Sequence, residues 1–149
     1  IQRRICYLAV GLLCLWACGC SPPTIQGVTA TGTVSAEDAP LSGAFITLEP
    51  MGNTTGPNAT APIFNGQFVF AEDAGLAGGK YRIRFAMIPA EIRRSIPADQ
   101  MTSMPPDDAV IAPAYDTNSK LSCELKPGQE NSLSYEVEFL KSTKKSRKR

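Results

Sequence analysis

The 149 residues include no histidine, only one tryptophan, and a formal net charge of +1. Without histidine the commonest general base and zinc ligand is missing, so neither an enzyme nor a resident metal or cofactor is expected. The near-neutral total hides an asymmetry: residues 21–140 hold seven basic side chains against fourteen acidic ones, whereas the last nine, KSTKKSRKR, hold six basic ones and no acid.

The chain starts with Arg3 and Arg4, continues with an apolar run from Ile5 to about Ala17, and then reaches small residues and cysteine. A basic start, an apolar centre of roughly 7–15 residues and a small-residue exit mark a secretory signal. The run falls short of the about 20 apolar residues that a bilayer span needs. Residues 1–17 are therefore expected to be an export signal and residues 18–27 a tether. Four of the five cysteines (Cys6, Cys14, Cys18 and Cys20) fall in or beside this segment, leaving Cys123 alone in the body. A single thiol cannot staple a domain internally, so packing must hold it together.

From Val28 the pattern is one of short strands with turns between them. Val28, Ala30, Gly32 and Val34 share one face of the first strand and Thr29, Thr31, Thr33 and Ser35 the other. The stretch AEDAPLSGA reads as a turn, with Glu37 and Asp38 solvated and Pro40 and Gly43 setting the backbone. Ile46 and Leu48 then point inward, and residues 51–62 read as a polar loop. Asn65-Gly66 between apolar runs predicts a tight hairpin, because both residues tolerate positive φ. Phe68 and Phe70 share a face, as do Tyr81, Ile83, Phe85 and Met87. Residues 88–113, with five prolines, read as a long loop in which AEIRRSI has the length for about two helical turns. Leu121, Cys123 and Leu125 alternate with polar residues, and after Pro127-Gly128 so do Leu133, Tyr135, Val137 and Phe139. Period-2 strands with short turns predict an all-β domain over residues 28–140, an antiparallel β-sandwich of about seven strands after an N-terminal signal helix. Residues 141–149 form a basic tail.

Two resemblances sharpen this reading. Leu15-Trp16-Ala17-Cys18, overlapped by Ala17-Cys18-Gly19-Cys20, resembles the bacterial lipobox, in which the cysteine is acylated and cleavage occurs before it. Cys18 has the usual leucine three residues before it and Cys20 the usual small residue, so both stand as lipidation candidates. The runs GTVSAEDAPLSGAFITLEP, NGQFVF, GGKYRIRF and AYDTNSKLSCELKPGQENSLSYEVEFL resemble the carboxypeptidase-regulatory-like, transthyretin-like domains of bacterial lipoproteins, particularly the small ones of planctomycete-type bacteria. The resemblance implies a prealbumin-like sandwich and brings no catalytic residues. The related purine-pathway hydrolases rely on histidines and a C-terminal Tyr-Arg-Gly-Ser motif, neither of which this chain has.

The expected function is that of a non-enzymatic structural or interaction module of the cell envelope, held to a bacterial membrane by an N-terminal lipid and exposed on the periplasmic or cell-surface side. The expected partner surface is the 88–113 loop with Ile96, Met101, Met104, Val110 and Ile111, plus Tyr115 beside it. Its partner would be an envelope protein or polysaccharide; the competing expectation is that these side chains pack over an open sheet edge. A carbohydrate- or small-ligand-binding module is the alternative function. Nucleic acid is excluded by export, and the basic tail suits an anionic surface. The pairs Glu37-Asp38, Glu72-Asp73 and Asp107-Asp108 lack the spacing of a calcium loop and read as solvated turns.

Overall fold

The structure, a computed structural model, describes residues 27–101 and 103–141. It contains eight strands: β1 (Ala30–Ala36), β2 (Ala39–Pro40), β3 (Ala44–Pro50), β4 (Ala59–Ile63), β5 (Gln67–Phe70), β6 (Gly79–Met87), β7 (Ser122–Leu125) and β8 (Asn131–Val137). They form two four-stranded sheets with their apolar faces together. In one, β1 lies between β8 on one side and β2 and β5 on the other. The second runs β4-β3-β6-β7 and is antiparallel throughout.

The alternation read from the sequence explains the core. Val28, Ala30 and Val34 are buried on β1 and its approach, as are Ile46 and Leu48 on β3, Phe68 and Phe70 on β5, and Tyr81, Ile83 and Phe85 on β6. At Gly32 the inward position has no room for a side chain, since a Cβ there would lie 2.5 Å from Phe68 Cζ and 2.2 Å from the Leu133 carbonyl oxygen. Asn65 (φ 51°) and Gly66 (φ 73°) make the expected tight turn. That hairpin also carries the chain from the second sheet to the first.

Four expectations need correction. The sheets are not wholly antiparallel: β1 and β8 pair in parallel from Ala30↔Asn131 to Ala36↔Val137. Alternation specifies which face is buried but not strand direction. The described residues form eight strands where about seven were expected: β2 lies in the segment read as a turn, and β4 extends the strand before the hairpin back into the segment read as a polar loop, with Ala59, Ala61 and Ile63 buried while Thr60 and Pro62 are exposed. Pro62 is tolerated because β4 is an edge strand. The two helical turns shrink to one, α1 (Ala90–Arg93). The last strand stops at Val137, and only an isolated bridge, Ile111↔Phe139, continues the pairing.

The parallel pair gives the domain two distinct ends. Gly27 and the start of β1 lie at one, with residues 51–58, 72–78 and 126–130. At the other lie the β1–β2 turn, the Asn65-Gly66 turn, the origin of the 88–113 loop and the exit at Lys141. Six strand steps of about 3.3 Å separate the ends of β1, roughly 20 Å.

Candidate functional site

Among the described residues, three of the places that bring polar side chains together bear on function. The first is the 88–113 loop, which is organised around Arg93. This side chain is only 2 % exposed. Its Nη1 donates to the carbonyls of Pro105 (3.2 Å) and Pro106 (3.3 Å), and its Nη2 to those of Pro106 (3.3 Å) and Asp107 (3.0 Å). The buried Nε has no partner. A guanidinium offers donors in a fixed fork, so one side chain gathers three carbonyls of a proline-rich stretch that cannot form a ladder of its own. Gly43 (φ 71°) leaves space for the arginine stem, since a Cβ there would lie 2.8 Å from its Cδ. Neighbouring Arg94 pairs with Asp107 at the surface, and that hydrogen bond holds the Asp107 carboxyl below its ordinary value.

The second is a line of charges on the outer face of the β3/β6 sheet. Glu49 accepts from Arg82 Nε (2.7 Å) and Arg84 Nη1 (3.0 Å), and Arg84 Nη2 also donates to Asp116 (2.7 Å). Burial pushes the Glu49 carboxyl up, but its two arginines together outweigh this and lower it. This line ties the segment after the 88–113 loop to the sheet, and its charges are mutually neutralised.

The third is a groove of about 290 Å³ on the outer face of β1. Thr33 and Ser35 form its floor, Ser134 of β8 one wall, and Asp38, Asn65 and Gln67 the other. Both turns beside it have left-handed residues: Glu37 (φ 51°) and Asp38 (φ 64°) in one, Asn65 and Gly66 in the other. Backbone hydrogen bonds join the turns: Val34 N to Gly66 O (2.8 Å), Gly66 N to Leu41 O (2.7 Å) and Leu41 N to Val34 O (3.0 Å). A second hollow of about 250 Å³ shares Thr33 and Gln67 with the groove and extends to Thr31, Val69 and Ser132.

Cys123 is half-buried between the sheets. Burial pushes its thiol up to about 11, against which a hydrogen bond with Tyr135 acts weakly. Tyr135 is itself raised by burial and by Cys123, and its ring meets Phe85 edge-on at a centroid distance of 5.6 Å. Such a thiol has little nucleophilic character at neutral pH.

Comparison with family models, with curated proteins and with solved structures finds no match.

The structure separates the residues expected to form a partner surface. Met101 (6 % exposed) and Ile111 (4 %) are buried, Ile96 is half-buried, and Tyr115 packs against the core. Met104 and Val110 are exposed, at 43 % and 52 %. Part of the loop meets the chain beyond β8, with Ala112 N donating to Glu138 O (2.9 Å) and Leu140 N to Val110 O (2.7 Å). Cys18 and Cys20 lie outside the described residues, as do all of the basic tail beyond Lys141. Among the described residues no helix is long and apolar enough to cross a membrane, and no group of three His, Cys, Asp or Glu side chains is placed to hold a metal ion. The β1 groove is the feature sequence reasoning missed. Its signal was present in the threonine alternation of β1 and in the Asp38 and Asn65 turns, but which strands flank β1 was not legible.

Proposed function

We propose that this chain is an exported bacterial lipoprotein, anchored through Cys18 or Cys20, whose β domain is a non-enzymatic structural or interaction module of the cell envelope. The observation that carries the reading is the order Arg3-Arg4, apolar run, cysteine pair, short Ser-Pro-Pro tether and compact β domain. Its resemblance to carboxypeptidase-regulatory-like, transthyretin-like lipoprotein domains supports the same role. The exposed Met104 and Val110 are the part of the 88–113 loop available to an envelope protein, and the basic tail suits an anionic surface. Acylation suffices energetically, since each buried methylene contributes about 0.8 kcal/mol and two or more chains hold a domain stably.

The test is the double variant Cys18→Ser/Cys20→Ser, which is expected to leave the membrane fraction and the detergent phase for the aqueous phase. A double variant that still sediments with membranes and partitions into detergent overturns the anchor.

A further inference from the structure

We infer that the groove on the outer face of β1 is a binding site for a neutral polyhydroxylated ligand, a glycan ring or a short neutral oligosaccharide. The inference deepens the reading of the chain as an envelope-exposed module and supplies the class of molecule that module would meet.

Three observations converge on it. The lining is chemically matched: Thr33, Ser35 and Ser134 supply hydroxyls, Gln67 an amide and Asp38 a carboxylate. Hydroxyls and amides both donate and accept, and a carboxylate accepts, which is the complement of a ring bearing several hydroxyl groups. Thr33 and Ser134 already point to one place, their oxygens 3.3 Å apart across β1 and β8. The setting is also rigid. Its walls come from four segments locked by the backbone bonds between the two turns, so a ligand would meet a preformed surface and little ordering cost. Finally, Asp38 stands at φ 64° in a turn where glycine would be unstrained. Asp38 thus lines the groove from a left-handed backbone conformation that aspartate adopts more readily than most L-residues.

The same residues define the class. Among the described residues no cation lines the groove, and its one charge is negative, so phosphate, sulfate and uronic acids are disfavoured. An apolar ligand would displace water from the Ser35 hydroxyl, the Gln67 amide and the Asp38 carboxylate without replacing its hydrogen bonds. The adjoining hollow has room for a second ring and offers Val69, 63 % exposed, to the C–H face of a sugar. The groove lies at the end of β1 away from Gly27, on the side that an N-terminal anchor leaves free.

The experiment uses the full chain purified in a detergent without a sugar headgroup, with maltotriose and N,N′-diacetylchitobiose as probes, followed by saturation-transfer and chemical-shift NMR titration. At least one probe is expected to bind in the millimolar range, and a glucuronate trimer is expected not to. Asp38→Gly removes the carboxylate and also relieves the left-handed strain, so it is expected to weaken binding about tenfold without lowering Tm. Glu37→Gly relieves the same turn, keeps the carboxylate in the groove, and is expected to bind like the parent. Failure of both probes to bind, equal binding of the glucuronate trimer, or an Asp38→Gly variant that binds like the parent each overturns the inference. The two readings fail separately: a chain that stays in the detergent phase without binding sugar refutes the groove, and one that binds sugar from the aqueous phase refutes only the anchor.

Discussion

Replacing Arg93 with methionine is expected to open residues 88–101 while leaving both sheets folded. The guanidinium makes four donor contacts at 3.0–3.3 Å to three carbonyls. A hydrogen bond to a charged group is worth about 1.5–3 kcal/mol, but these are long and two of the carbonyls belong to exposed residues that water can serve. About 1 kcal/mol for each carbonyl, or about 3 kcal/mol in all, is a suitable gross figure. Against it stands relief of the buried, unpartnered Nε, which returns about 1 kcal/mol. Methionine keeps most of the stem that packs beside Gly43 and Met101. The net loss of about 2 kcal/mol raises the opening equilibrium of the loop about thirtyfold. Native-state hydrogen exchange reads this directly at the amides of Arg94, Ile96 and Met101, which donate to Ala90, Arg93 and Ala98. Those of β3 and β6 are expected to keep their protection. Unchanged exchange at the loop amides would refute the reasoning and leave Met101 and Ile111 as what holds the loop; Met101→Ala would then accelerate exchange where Arg93→Met had not.

Gly32→Ala is expected to cost about 2–3 kcal/mol and lower Tm by about 10 °C, since the new methyl would meet the Leu133 carbonyl at 2.2 Å and neither strand can retreat without breaking the β1–β8 pairing; a melting curve within about 2 °C of the parent, about a fifth of the expected shift, would contradict it. At pH 8 the Cys123 thiol, pushed up to about 11 by burial, holds far less thiolate than one at the ordinary 9.0, so alkylation of the Cys123 peptide, followed by mass spectrometry, should be about tenfold or more slower in the folded chain than in the denatured one, and equal rates would contradict the burial. Glu49, whose folded carboxyl lies below its ordinary 4.5, stabilises the domain fully above that value and loses its contribution as pH falls through the depressed one. Glu49→Gln should therefore cost about 1 kcal/mol at pH 7 and flatten the acid limb of stability against pH, and an unchanged acid limb in denaturant titrations would remove Glu49 from that account.

Sequence periodicity made the faces of the strands legible, because burial acts on each residue through its own side chain. Ile46, Leu48, Phe68, Phe70, Tyr81, Ile83 and Phe85 all sit where alternation puts them. The Asn65-Gly66 turn was equally legible, since its φ requirement is local. What stayed hidden depends on partners distant in sequence. The parallel β1–β8 pair joins residues about a hundred positions apart, and nothing in Thr31-Gly32-Thr33 reports the direction of Ser132-Leu133-Ser134. β4 was masked by its composition: its buried positions include two alanines, and Pro62 reads as a breaker unless the strand is known to be an edge. The role of Arg93 was invisible for a related reason. An arginine in a proline-rich loop reads as solvated, and only the fold brings three carbonyls within its reach.

The parallel pair also governs how the domain can be presented. In an antiparallel pairing of first and last strands, both termini would emerge at one end, and an anchor and a tail would lie side by side on the same surface. With β1 and β8 parallel, the described chain begins at Gly27 near one end and reaches Lys141 at the other. If the chain is anchored as proposed, an acyl group joined to Gly27 through Ser21-Pro22-Pro23 would draw the first end toward lipid. The β1 groove, the exposed Met104 and Val110, and the start of the basic tail then lie together at the far end, about 20 Å away along the strands. Under that proposal the groove, with its hydroxyls and the single carboxylate of Asp38, faces away from the lipid and toward whatever the envelope presents to the domain.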